Sequence, residues 1–161
     1  MIHFGVCVGP GDSYEQHCRP FLERAVGPSP HISTVRGATS IFTAYNHMVD
    51  DALAEGAAAL VLLHDDVAVH DRNLLPRIRR RLREPDLGVI GVIGGRGLWG
   101  MRWEESRERF GRVHSPTGVW RSGPLRGDVD VVDGLMMVLT REAMSRVRFD
   151  EVTFSGFHGY D

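Results

Sequence analysis

The chain has 161 residues, 42% of them hydrophobic and 25% charged, with a formal net charge of −2. That length supplies one domain with its own core and is too short for two comfortable ones. The near-neutral balance offers no general attraction to nucleic acid, and no apolar run approaches the roughly 18–20 residues of a membrane span, so both classes are set aside.

The N-terminal "MIHFGVCVGPG" has neither a basic leader nor a small-residue cleavage site. Cys7 and Cys18 are the only cysteines. Without a secretory context they read as reduced thiols, which predicts a cytoplasmic protein. Residues 2–8 form a short apolar run closed by Gly9-Pro10-Gly11, the pattern of a buried strand and a turn. Asp12 and Ser13 are placed to cap a helix over residues 14–26, which Pro20 must start, kink or break. Residues 31–35 alternate weakly and predict a second strand. Thr39 or Ser40 then caps a helix with Ile41, Tyr45, Met48 and Ala52 on one face and Gly56 at its stop.

Residues 58–63, "AALVLL", predict a third strand, and residues 74–84 a helix with Pro76 in its first turn. Residues 87–95 read as a fourth buried strand. Residues 96–127 are rich in glycine, arginine and tryptophan and show no sustained period. Apolar runs at 128–132 and 135–139 flank Asp133-Gly134, and residues 141–147 predict a short helix. Alternating continuous apolar strands and helices predict an α/β domain, three-layered α/β/α, with a mostly parallel sheet covered on both faces. Ligands of such sheets sit at the carboxyl ends of the strands.

Several motifs resolve into plain readings. Gly9-Pro10-Gly11 fails as a dinucleotide fingerprint because position 14 is tyrosine, and no Gly-Lys-Ser/Thr follows to make a phosphate loop. The arginines at 77, 79, 80, 81 and 83 lie opposite Ile78 and Leu82 with Glu84 and Asp86 behind them, which suits a solvated helix face. Trp99, Trp103 and Trp120 suit either ring stacking on a ligand or the anchoring of a long loop. The sharpest feature is His64-Asp65-Asp66 at the end of the third strand. Two adjacent carboxylates repel and lose solvation unless a cation or water compensates them. Strand alternation would put His64 and Asp66 on one side, converging on a cation, with Asp65 turned toward a helix or a ribose.

Four elements occur in order: Ala44-Tyr45-Asn46, His64-Asp65-Asp66-Val67, Asp133-Gly134, and Phe149-Asp150-Glu151 followed by His158-Gly159-Tyr160-Asp161. Together they resemble the family-2-type glycosyltransferase domains, in particular the bacterial glycosyltransferase-like group with a histidine-x-aspartate-valine motif. The resemblance covers residues 40–161 and, less distinctly, 2–20. It implies the GT-A fold in a single domain over 1–161, a nucleoside-diphosphate-sugar donor, a saccharide or other hydroxyl acceptor, and Mn²⁺ or Mg²⁺.

The same resemblance makes Asp66 the metal-binding aspartate, with His64 where most relatives carry the first aspartate. Asp161 becomes the base of an inverting transfer, with Asp133 as the other catalytic candidate. Val8, Gly9, Gly11 and Ser40 are assigned to the donor base and ribose, together with Asn46 and Asp65. His158 joins His64 and Asp66 among the candidate metal ligands. Relatives continue beyond the position of Asp161, which implies a short or missing acceptor-side part. Two other readings stand beside this one: a catalytically silent nucleotide-sugar module, and a hydrolase holding zinc or iron with His64, Asp66, His158 and Asp161. A homo-oligomer is left open.

Overall fold

The computed structural model describes residues 1–100, 102–115, 117–121 and 123–160, with residues 120 and 121 described by their backbone alone. The strands are β1 (Ile2–Val8), β2 (Ile32–Arg36), β3 (Ala59–His64), β4 (Val89–Gly91), β5 (Ile93–Leu98), β6 (Ser106–Ser115), β7 (Gly118–Arg121), β8 (Val131–Val132) and β9 (Met136–Thr140). The helices are α1 (Arg19–Val26), α2 (Ile41–Ala54), α3 (Leu74–Arg81) and α4 (Arg141–Arg146).

Five strands make one sheet in the order β2-β1-β3-β9-β4. β1 pairs in parallel with both β2 and β3, whereas β9 runs antiparallel between β3 and β4. The sheet is therefore mixed, with β9 alone running opposite to the other four strands. The reversal follows from the chain path: β9 enters from the Asp133-Gly134 turn instead of from a crossover helix. A consequence is that the start of β9 lies at the same edge as the carboxyl ends of β1 and β3, since Met136 pairs with Leu63.

β3 is central, and Ala59, Leu60, Val61, Leu62 and Leu63 are all 0% exposed. Its odd residues, with Ile2, Phe4, Val6 and Val8 of β1, pack on Cys18 just before α1, on Leu22 of α1, and on Leu74 and Ile78 of α3. Its even residues Leu60 and Leu62 pack on α2 through Ile41, Phe42, Tyr45, Met48 and Val49, and on Met144 of α4. Burying each such aliphatic side chain contributes about 1.5–3 kcal/mol. α2 forms because its apolar positions recur every three or four residues, and it stops at Gly56, whose φ of 70° suits glycine. There Ala57 N donates to Ala52 O and Gly56 N to Leu53 O, closing the last turn.

The helix expected over 14–26 divides into a π-helical turn at Tyr14–Cys18 and α1, with Pro20 in the first turn of α1 where its missing N–H costs least. The strand expected over 87–95 also divides. β4 joins the large sheet and β5 a second, antiparallel sheet in the order β7-β6-β5-β8. Glycines allow the crossing: a Cβ at Gly91 would lie 2.6 Å from the Val132 side chain. The aperiodic 96–127 stretch supplies most of that second sheet. Arg96, Arg107, Glu108, Arg109 and Arg112 stand on exposed positions, and Arg96 pairs with Glu108 across β5 and β6, so no hydrophobic period marks the strands. The 77–83 arginines behave as a solvated face, with Arg77 on Asp71 and Arg81 on Glu84. No helix among the described residues is long and apolar enough to cross a membrane.

Two outcomes test this packing. A Cβ at Gly5 would meet Met48 Sδ at 2.7 Å and Leu62 Cδ2 at 3.0 Å, so Gly5→Ala is expected to lower stability by about 1–3 kcal/mol in urea unfolding. Cys18 is fully buried, and burial, followed by the nearby Asp65 and Asp66 carboxylates, pushes its thiol up from 9.0 to about 12. The unfolded chain loses this proton first, so the stability contribution is complete below about pH 9 and declines as pH rises toward about 12. Cys18 should accordingly resist a thiol reagent at pH 8 until the protein is unfolded, as mass spectrometry of labelled native protein would read.

Candidate functional site at the carboxyl edge of the central strands

A strand buried on both faces excludes charge along its length and presents it at its tip. β3 ends at His64, and the hydrogen bond from Val67 N to His64 O (3.3 Å) makes residues 64–67 a turn. That turn interrupts the strand alternation, and the three polar residues end in different surroundings. His64 hydrogen-bonds through Nε2 to the Tyr160 hydroxyl. Asp65 accepts from Gly9 N through Oδ2 at 2.8 Å, joining the tip of β3 to the loop after β1. Asp66 is exposed and hydrogen-bonds to no other described residue. Among the described residues no three histidine, cysteine or acidic side chains gather closely enough to hold a metal ion.

The residues assigned by sequence fall as follows. Val8 is buried, while Gly9 and Gly11 are exposed in the loop at the same edge, Gly11 with φ 108°. Ser40 precedes α2, and its Oγ is buried without a hydrogen-bond partner among the described residues. The cap is supplied by another part of the chain, for Ile41 N donates to Gly156 O at 2.8 Å. Asn46 is doubly engaged: its Nδ2 donates to Phe149 O at 2.9 Å and its Oδ1 accepts from Phe149 N at 3.0 Å. His158 is exposed. Asp161 lies outside the described residues.

Asp133 is half-buried in the turn before β9. Its Oδ2 accepts from Trp103 Nε1 at 2.6 Å, and its Oδ1 from Leu135 N at 2.8 Å. Trp103 is 8% exposed and therefore anchors its loop, whereas Trp99 is 75% exposed. The side chain of Trp120 lies outside the described residues.

Tyr160 brings these pieces together. Its ring lies over Gly134, where a Cβ would run into it, and meets Tyr45 and Phe42 edge-on at centroid distances of 5.5 and 6.4 Å. Phe154 stacks on Phe42 and Phe149 packs edge-on against Tyr45, so the segment 149–160 is laid along α2 by aromatic contacts. Tyr160 also lines an open cleft of about 560 Å³ together with Phe42, Met137, Phe149 and Phe154, to which Asp130 and Asp150 contribute carboxylates. Sequence reasoning missed this cleft. Its signal was the cluster of aromatic residues at 149, 154 and 157, which carry no helical or strand period.

The loop after β1, the tip of β3 with Asp65 and the Asp133 turn before β9 thus lie along one sheet edge, while Ser40 and Asn46 belong to α2 and the residue before it. Comparison with known proteins bears on this edge. The chain is 36% identical over 161 residues to the streptomycin biosynthesis protein StrF of Streptomyces griseus, a match that takes in 99% of this chain and 57% of that protein. It spans little more than half the length of that relative. Its fold is similar to the crystal structure of A197 from STIV, with a TM-score of 0.60, 12% identity, and coverage of 92% of this chain and 69% of that one. Residues 4–161 match the glycosyltransferase-like family. With nearly the whole chain matched, the protein belongs to the glycosyltransferase-like family.

Proposed function

We propose that this domain transfers a sugar from a nucleoside-diphosphate donor to an acceptor hydroxyl, with inversion and with help from a divalent cation, on a GT-A-type sheet. The observation that carries the reading is the hydrogen bond from Gly9 N to Asp65, which closes the β1 loop against the acidic tip and leaves Asp66 exposed beside it. Donor base and ribose would lie along Val8–Gly11 and the start of α2, where Ser40 Oγ has no partner among the described residues. Asn46 would act indirectly, since both ends of its amide hold Phe149 and through it the segment leading to Tyr160.

The residues present fit a hard cation of low protein coordination. Asp66 offers one oxygen ligand, and such ions take the remainder from phosphates and water. When bound, Mn²⁺ or Mg²⁺ would neutralise the charge that gathers on the departing diphosphate. In the transfer, the acceptor oxygen bonds to the anomeric carbon as the bond from that carbon to the phosphate oxygen breaks. The diphosphate leaves with the electron pair, and the acceptor proton passes to a carboxylate. Asp161 is the assigned base, worth about 10²–10⁴-fold in rate. Asp133 is less suited, because both its oxygens already accept from Trp103 and Leu135. The cleft lined by Tyr160 gives an acceptor room of about 560 Å³ on an apolar floor.

A thermal-shift screen of nucleoside diphosphates with and without Mn²⁺ tests the reading. At about 100 times Kd, the matching nucleotide should stabilise the protein by about 2.7 kcal/mol, raising Tm by about 5–10 °C. Asp66→Asn should abolish the Mn²⁺-dependent part of that rise while leaving the Tm of the free protein unchanged. A screen in which no nucleotide raises Tm would remove the donor assignment, and equal nucleotide affinity in Asp66→Asn and parent under Mn²⁺ would remove the metal assignment.

A further inference from the structure

We infer that the acceptor taken by the cleft is an amine-bearing molecule with a flat apolar face, its ammonium held by Asp130 and Asp150 while a hydroxyl of the same molecule receives the sugar. The word acceptor rests on the transfer reading given above; the preference for an amine rests on the cleft itself. Three observations carry it. The lining is mostly hydrophobic, and Val89, Val147 and Phe154 within it are 43%, 57% and 47% exposed, so large apolar side chains stand open to water in one concavity. Apolar surface gathered in this way is stabilised by an apolar occupant.

The second observation is that the cleft's single basic side chain among the described residues is already committed. Arg148 donates through Nη2 to Asp50 Oδ1 at 3.0 Å and through Nη1 to the carbonyls of Met144 and Val147. The third is that Asp130 and Asp150 have no cationic partner among the described residues, so the uncompensated charge of the cleft is negative. Backbone bonds hold both carboxylates without neutralising them. Asp130 Oδ2 accepts from Gly97 N at 2.6 Å, which leaves Oδ1 unpartnered among the described residues. Asp150 Oδ1 accepts from Thr153 N at 2.9 Å and Val152 N at 3.2 Å. The bonds from Thr153, its N–H first and its hydroxyl second, also keep the Asp150 carboxyl below its ordinary range.

An ammonium donates three hydrogen bonds and accepts none, so it suits carboxylates that keep lone pairs beyond those given to the backbone. A molecule carrying a carboxylate or phosphate would meet like charge there. A neutral apolar molecule would cover the floor and leave both charges to water. The rings of Phe42, Phe149 and Phe154 suit a flat face better than a thin chain, and they attract a cation as well.

Three probes with one ring system and different heads separate charge from shape: 1-naphthylmethylamine, 1-naphthalenemethanol and 1-naphthylacetate. Each is titrated at pH 7 into the 161-residue chain, without nucleotide or metal, and followed by backbone amide resonances. The amine should bind about three- to tenfold more tightly than the alcohol, the range expected of partly exposed charge pairs, and the acetate more weakly than either. Shifts should centre on residues 130–132 and 149–154. Asp130→Asn combined with Asp150→Asn should bring the amine to the alcohol's affinity and leave the alcohol's unchanged, since asparagine still accepts from the same N–H groups. Val147→Lys, at an exposed position of the lining, should reverse the order of amine and acetate.

Equal affinity for amine and alcohol overturns the inference, and so does an amine preference that survives the paired asparagine variant. Shifts centred outside the cleft overturn it as well. A dimer seen by light scattering, broken by Val147→Lys and closed to all three probes, would assign the cleft to a second copy and overturn it too. The donor reading fails by another measurement: nucleotides that leave Tm unmoved would remove it while the amine preference stands. A nucleotide that raises Tm, with no amine preference, would remove this inference alone.

Discussion

The constraint on which the structure depends is the complete burial of β3. A strand hydrogen-bonded on both edges and packed on both faces has no place for a charge along its length, and its five residues from Ala59 to Leu63 are 0% exposed. Polar chemistry is displaced to the end, where His64, Asp65 and Asp66 follow without a spacer. Neighbouring strands then decide what surrounds that tip. β1 delivers the Gly9 amide to Asp65, and β9, entering antiparallel, delivers the Asp133-Gly134 turn and Leu135 O.

The second determinant is the segment 149–160, which has no regular secondary structure beyond turns and is nevertheless well tied. Asn46 pairs with the main chain of Phe149 much as a neighbouring strand would, and Gly156 O caps α2 in place of the Ser40 side chain. Phe149, Phe154 and Tyr160 add ring contacts along the same helix. Local side-chain pairing of this kind satisfies backbone groups that a loop would otherwise leave to water. It also places one tyrosine between the acidic tip and the apolar cleft. A single residue therefore touches both halves of the site.

The two sheets divide the labour. The large one carries the core and the loops that follow β1 and β3, while the small antiparallel sheet supplies Val131 and Val132 beside the cleft, and the turn between β5 and β6 supplies Trp103, whose indole holds Asp133. Gly91 at the crossing between β4 and β5 allows close approach of the two sheets, since a side chain there would meet Val132 of β8. The price of that closeness is a loss of hydrophobic pattern in the sequence around it.

The sequence by itself determined the elements whose burial is periodic. β1, β3, β9, α2 and α3 are legible because each carries an apolar run or stripe of the right period, and the acidic tip stands out because it ends such a run abruptly. The ordered motifs in turn carried the family. What only the tertiary structure decided is which partners those motifs meet. The period of 2 that would have put His64 beside Asp66 ends in a turn, because the chain must leave the sheet there. The arginine-rich strands of the second sheet carry consecutive exposed residues, as at 107–109, and many glycines, so no local pattern marks them. Asn46 and Tyr160 are separated by more than a hundred residues yet held against the same segment and helix. Side-chain pairing across such distances depends on how the layers close, and closure is a property of the packed core that no short window of sequence contains.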